Sequence, residues 1–352
     1  MKPALKALNR PYIAACVITL AGGAAAQNAD LPKYASAKQA SGVIHICGSP
    51  QMGELLKLYE QGFMKVQPAV HFDNDLEGTL TTVSAVYTNR ADIGLLGREI
   101  WPTEIQAFES IKGHAPTVMD IATGSFDVPK ATFALMIFVP RSNPIASLST
   151  GQLERIFTAS DGTADHGASS NSPIRTWGDL GLKGDWANRP VHLYGFSVDN
   201  DKSQIFSQLI FSKGRHWNPG LNESSNAPGS NGADAGELIV QAVAKDPDAI
   251  GISNAHYATP EVKALPLSTP EQKVLVAPTR ENVANRSYPL TRAVYMVVNN
   301  DAAHPLNEAV IEFLRYTLSR QGQQAVMQEG NYLPLPAEIA LRQLRQLPTS
   351  PK

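Results

Sequence analysis

Short runs of β-branched and aliphatic residues alternate along this chain with segments whose apolar residues recur every three or four positions, and that alternation points to a layered α/β architecture. The run VIHIC, closing at Cys47, is a strand, and Met52, Leu55, Leu56, Tyr59 and Phe63 then mark one face of a helix. Gly48, Ser49 and Pro50 lie between them, which places Ser49 as an N-cap and Pro50 as the first helical residue. The chain therefore passes from a strand end straight into a helix N-terminus. The pattern repeats: Gly78 and Thr79 open a helix expected to reach about Arg90, 91–96 reads as strand, and 103–111 as helix again.

A long apolar strand, ATFALMIFVP from Ala131, carries the chain into what reads as a second lobe. Ser149 and Gln152 form an S-x-x-Q capping box ahead of LERIF, a strong local helix start. The polar, Gly/Ser-rich stretches 160–172 and 218–236 read as surface loops, with VHLYGF from Val191 as strand and 203–211 as helix between them. A helix over 237–245 and the buried strand AIGIS from Ala249 follow. Leu306, Val310, Phe313, Leu314, Thr317 and Leu318 form a core-facing helical stripe. Trp177 and Trp186, in a loop-rich segment, are expected to pack on a lobe surface.

The start of the chain reads as an export signal. Lys2, Lys6 and Arg10 form a basic region, 12–26 is apolar but too short to span a bilayer, and Ala24, Ala25 and Ala26 precede a cleavage point before Gln27. The competing reading, lipidation at Cys16 in IAAC, has almost no apolar run ahead of the cysteine. Removing 26 of the 352 residues leaves 326, enough for two domains with cores of their own. Three positive residues and no acids leave with the signal, taking the net charge from −2 to −5, which excludes a nucleic-acid or anionic-membrane surface. Only Cys47 then survives, so neither an internal disulfide nor a cysteine metal cluster can form, and Cys47 reads as a buried core thiol.

YPLTRAVYMVVNN from Tyr288, a helical run from Pro305 and LSRQGQQAVMQEGNYLPLP closing at Pro336 resemble the C-terminal signature of periplasmic phosphate-binding proteins of ABC transporters. GSPQMG from Gly48, EGTL from Glu77, ADIGLLGREI from Ala91, LSTGQLERIF from Leu148 and AIGIS follow that family's motifs in order. The resemblance implies the α/β, two-lobe type II periplasmic-binding-protein fold, each lobe a mixed sheet flanked by helices. With a signal peptide at 1–26, the first lobe would comprise 41–130 plus 288–345 and the second 131–287. It also implies a periplasmic monomer without cofactor that holds inorganic phosphate or another small oxyanion between the lobes and delivers it to an inner-membrane ABC permease.

Ser49 and Thr79 stand where the family places hydroxyl contacts to the ligand, and Arg98 sits beside a third. The residues alone leave open that both hydroxyls only cap helices and that Arg98 is a surface or ion-pair residue. In the second lobe the family's R-x-x-x-S-G-T turn is absent, and the chain has Ser197, Val198, Asp199, Asn200, Asp201, Lys202 and Ser203 instead. Asn200, Lys202 and Ser203 complete the ligand-binding candidates, Lys202 being itself a usable phosphate ligand. Asp199 and Asp201 would repel a dianion, cap the helix, or welcome a ligand with a cationic end. No H-E-x-x-H, G-x-S-x-G or G-x-x-x-x-G-K-[ST] motif occurs, so no enzyme is expected. Asp73 and Asp75 are expected to face solvent, with a weak metal site as their other reading. A phosphatase-like hydrolase, or an exported adhesion or signalling module that has lost phosphate binding, is the alternative function.

Overall fold

The computed structural model describes residues 30–36, 38–129, 134–159, 172–226, 234–301 and 305–348. The expected leader with Cys16, residues 131–133 of the long apolar run, and 160–171 of the first polar loop lie outside them.

The first lobe opens with β1 (Gly42–Gly48), α1 (Gly53–Met64), β2 (Val70–Asp75), α2 (Thr82–Tyr87), β3 (Ile93–Leu96), α3 (Pro102–Lys112) and β4 (Thr117–Thr123). The chain then crosses into β5 (Met136–Pro140), β6 (Leu148–Ser149), α4 (Thr150–Phe157), β7 (His192–Phe196), α5 (Asp201–Ile210) and β8 (Leu221–Ser224). The second lobe ends with α6 (Ala235–Lys245), β9 (Ala249–Ser253), β10 (Val262–Ala264), β11 (Leu267–Ser268) and α7 (Arg280–Ala284). After recrossing come β12 (Ala293–Val298), α8 (Glu308–Leu318), α9 (Arg320–Glu329) and α10 (Ala337–Leu344).

Two five-stranded sheets result, ordered β2-β1-β3-β12-β4 and β10-β5-β9-β7-β8. In the first, β1 runs parallel to β2 and β3, while β12 is antiparallel to both β3 and β4. In the second, β7 runs parallel to β8 and β9, and β5 is antiparallel to β9 and β10. Each sheet thus has one reversed strand, and in both cases it is the strand that has just arrived from the other lobe. The two crossings are bonded to each other: Gly124 N–H donates to Arg292 O at 2.9 Å and Leu135 N–H to Leu290 O at 3.0 Å. Among the described residues no helix is long and apolar enough to cross a membrane.

The helical stripe of the sequence lands where its period puts it. Val310, Phe313, Leu314, Thr317 and Leu318 are buried, and Leu306 is half-buried against the same core. Phe63 meets Phe313 edge-on at 5.3 Å, and Phe72 lies 4.9 Å from Phe313, so α1 and α8 close one face of the first sheet with aromatic contacts. On the other face Val83 and Val86 of α2 and Phe108 of α3 pack with Leu96 and Val297. The Ser149–Gln152 capping box forms as expected, with reciprocal bonds of 2.8 and 3.1 Å.

Three expectations are corrected. The helix expected from Gly78 to Arg90 is only Thr82–Tyr87. The Thr81 and Thr82 hydroxyls bond back to Gly78 O, holding the preceding residues in a turn, and Asn89 at φ 58° ends the helix. Inside the polar stretch 218–236, 221–224 is a strand on the sheet edge: its backbone pairs with β7, and the Asn222 side-chain amide adds a bond to Leu193 O at 3.0 Å, so polar side chains do not oppose it. Trp177 lies fully buried in the second core, 6.2 Å edge-on from the half-buried Trp186, because Thr176 and Asp179 fold the segment into a capped 3₁₀ turn.

Acid should loosen this fold. Burial pushes Asp179 and Asp246 upward, but the Arg175 and Thr176 N–H groups at Asp179, and the Asp248 N–H with His192 at Asp246, outweigh it and hold both carboxyls below their usual range. The unfolded chain therefore takes up these protons first. The stability they contribute is complete above the ordinary aspartate pKa near ~3.9 and is lost as pH falls through the depressed folded values. The urea midpoint should drop as pH falls below about 4; a midpoint that stays level on that acidification would contradict these assignments.

Candidate functional site

The parallel strands β1 and β3 of the first sheet, and β7 and β9 of the second, point their C-terminal ends at the space between the lobes, where α/β sheets hold ligands. Gly48 makes the first of these ends possible. A Cβ on it would lie 2.4 Å from Leu95 O, so only glycine lets β1 and β3 come together here. Ser49 N–H then donates to Leu95 O at 3.0 Å, and Gly78 N–H to Gly48 O at 3.2 Å, which ties the Ser49 turn to the Thr79 turn.

Ser49 is buried and precedes a 3₁₀ turn, Pro50–Met52, that feeds α1, yet its hydroxyl makes no cap bond. Thr79 is not a cap either, because α2 begins three residues later behind Thr81. Helix capping therefore uses neither hydroxyl, and both residues line a cleft of about 430 Å³ together with Arg98, Trp101, Asp199, Asp201, Lys202 and Arg292.

Arg98 has a different setting from the anion grip its position implied. Its guanidinium bonds both oxygens of Glu104 at 2.9 and 2.7 Å, bonds Glu99 O at 2.8 Å, and stacks 3.9 Å from the Trp101 ring. Glu104 also accepts the Trp101 N–H at 2.8 Å. The pair is buried, with side-chain exposures of 5% and 14%. Arg98 lines the cleft and already has a carboxylate.

Across the cleft, the side chains of Asn200 and Ser203 are committed within the second lobe. Asn200, not Asp199 or Asp201, is the N-cap of α5 and accepts the Lys202 N–H at 3.0 Å, while the Ser203 hydroxyl donates to Phe196 O at 3.0 Å. Neither residue lines the cleft. Lys202 does, with Nζ 3.3 Å from Asp201. Burial raises the Asp201 carboxyl, but the charges of Lys202 and Arg292 outweigh it and hold it below the usual range.

Arg292, within YPLTR, is a cleft residue that the sequence candidates do not include. It ends the second crossing just before β12, its side chain is 1% exposed, and its charge lies between Glu99 of the first lobe at 3.5 Å and Asp201 of the second at 3.6 Å. An arginine flanked by Leu290 and Val294 at a strand start was the available signal, since a cation there is either buried or misplaced.

Two other places are less suited to an anion. A larger concavity of about 1050 Å³ opens beside β1 and α2, is lined from the first lobe only, reaches Thr79 at its edge, and sets Asp73, Asp75 and Glu77 against Arg90 and His45, so its acids outnumber its one permanent cation. Cys47 is buried there, with its thiol raised by burial, and Asp73 and Asp75 are solvent-exposed as expected. Among the described residues, His192, Asp246 and Asp248 bring ligand atoms within 4.8 Å of one another. They sit at the opposite end of β7 from the cleft, where Arg189 pairs with Asp248 at 2.5 Å and the Tyr194 hydroxyl holds Asp246 at 2.9 Å.

Comparison with known proteins places this geometry among relatives. A family model described as a PBP superfamily domain matches residues 35–321. The phosphate-binding protein PstS of Pseudomonas aeruginosa is 33% identical over 327 residues, covering 93% of this chain and 94% of that protein. Protein SphX of Synechococcus elongatus is 28% identical over 217 residues, 60% of this chain and 56% of its own. Two solved structures share the fold at low identity. PstS from Borrelia burgdorferi has a TM-score of 0.54 at 15% identity, covering 84% of this chain and 99% of its own. An ABC-type phosphate transport receptor from Vibrio cholerae has 0.52 at 18%, covering 82% and 99%.

Proposed function

Because the chain belongs to the phosphate-binding protein family of the periplasmic-binding-protein superfamily, we propose that it captures phosphate or a closely related oxyanion in the cleft between its lobes and hands it to an ABC-type permease. The observation that carries this reading is the pair of Ser49 and Thr79. Both line the cleft beside strand ends that lead into helices, and helix capping uses neither hydroxyl. Hydroxyls and backbone N–H groups in that setting suit a small tetrahedral anion. The lobes are 41–130 with 288–345, and 131–287. The protein acts as a monomer in the periplasm after loss of its leader, and it binds rather than turns over its ligand. Arg98 serves the site as a positioning residue that holds Trp101 and Glu104, and Lys202 brings positive charge from the second lobe.

Ligand capture in such a fold works by hinge closure about the two bonded crossings. Inorganic phosphate at about a thousand times its dissociation constant should stabilise the ligand-free mature protein by about 4 kcal/mol. It should raise Tm accordingly and reduce the radius of gyration in solution scattering. Sulfate, organic phosphates and chloride run as parallel arms. No thermal shift and an unchanged scattering profile with every anion would sink the reading.

A further inference from the structure

We propose that Arg292 is the cation that grips the bound oxyanion, so that this charge comes from the hinge and not from the second-lobe turn, where the chain has no arginine. This inference rests on the capture reading above and says which residue performs it.

Three cations line the cleft, and they differ in what the protein already gives them. Arg98 has both terminal nitrogens on Glu104 at 2.7 to 2.9 Å and a further bond to a backbone carbonyl. Lys202 lies 3.3 Å from Asp201. Arg292 is more deeply buried than either, yet among the described residues its contacts with carboxylates are at 3.5 Å to Glu99 and 3.6 Å to Asp201, both at the outer edge of hydrogen-bond reach. Its Nε–H is buried and has no acceptor among the described residues. A buried guanidinium left in that state is costly, and its donors call for an acceptor that these residues do not supply.

The surroundings say what kind of acceptor fits. Ser49 and Thr79 bring hydroxyls to the same cleft, and Trp101, also part of its lining, has an indole N–H that is buried without a partner among the described residues. One charged and several neutral donors converging on a small volume match an oxyanion whose oxygens point in several directions. Glu99 and Asp201 flank the guanidinium from opposite lobes without a short bond to it, so an anion can take Nε–H without first breaking a tight ion pair. Arg292 also accepts the Gly124 N–H through its own carbonyl. The residue that holds the ligand is thus part of the hydrogen bond that joins the two crossings.

The test uses the mature wild-type chain, Arg292→Lys and Arg292→Met, titrated calorimetrically with inorganic phosphate and, separately, sulfate. Arg292→Met should weaken phosphate about a hundredfold, and Arg292→Lys, which keeps the charge but loses the directed Nε–H, about tenfold. In the wild type labelled with ¹⁵N-arginine, the Arg292 Nε–H resonance, assigned through its own backbone, should move on phosphate addition further than that of Arg98. This second readout needs no variant to fold. If the wild type binds phosphate while Arg292→Met stays within about threefold of it and the resonance is still, Arg292 is not the grip and the capture reading survives. If the wild type binds neither anion, the capture reading falls and this inference with it.

Discussion

Gly48→Ala should destabilise the protein by about 3 kcal/mol and weaken phosphate binding by at least about tenfold. The added methyl would meet the Leu95 carbonyl oxygen at 2.4 Å, its Cβ at 2.7 Å and its Cα at 2.9 Å. Most of these are backbone-fixed positions, so β1 and β3 would have to part. The bond from Ser49 N–H to Leu95 O and the bond from Gly78 N–H to Gly48 O lie on either side of that contact. Parting the strands would therefore break the Ser49–Leu95 bond and move the Ser49 turn, with the Thr79 turn tied to it through Gly48, away from the Arg98 end of β3, which is why affinity and stability should fall together. Urea unfolding and phosphate calorimetry on the same preparation measure both. A loss of stability with affinity unchanged would mean that the two turns are positioned by something other than the strand pair.

Arg98→Met should cost about 3 to 5 kcal/mol, because Glu104 is left as an uncompensated carboxylate in a buried place. Phosphate affinity should fall by at least about tenfold through that charge and through loosening of Trp101, whose N–H Glu104 accepts and on whose ring Arg98 stacks. The double variant Arg98→Met/Glu104→Gln removes the stranded charge and should recover most of both losses. If affinity in the double variant stays as low as in the single one while stability returns, Arg98 touches the ligand directly.

The residues that follow a strand end were readable from sequence because local grammar fixes them. Gly48, Ser49 and Pro50 mark one strand-to-helix passage, and the Thr79 turn lies near another, although its helix starts later than its pattern says. Partners were not readable. Arg98 and Glu104 are six positions apart across a turn, a separation with no periodic signature, so the candidate was found without the carboxylate that answers it. The burial of Arg292 depends on the second crossing and on Asp201, which is distant in sequence and belongs to the other lobe. Asn200 and Ser203 are legible as part of the passage from β7 into a helix, but only the structure shows their side chains turned to α5 and to Phe196 O. The strand at 221–224 was hidden for a related reason: an edge strand needs only backbone bonds, and its side chains keep the composition of a loop.

The reversed strand of the first sheet also dictates when that lobe can acquire structure. β12 lies between β3 and β4, and among the described residues β4 pairs with no strand but β12, so the first sheet has a gap beside its centre until residues 293–298 have been made. Helices α8 and α9, which close one face of that sheet, come later still. The first-lobe strands made early therefore lack their central partner, and contacts between the two ends of the chain must form late and slowly. For a protein proposed to cross a membrane before it works, that delay is useful: the second sheet has all its strands by residue 264, but the strand order keeps the first lobe open until the far end of the chain is released.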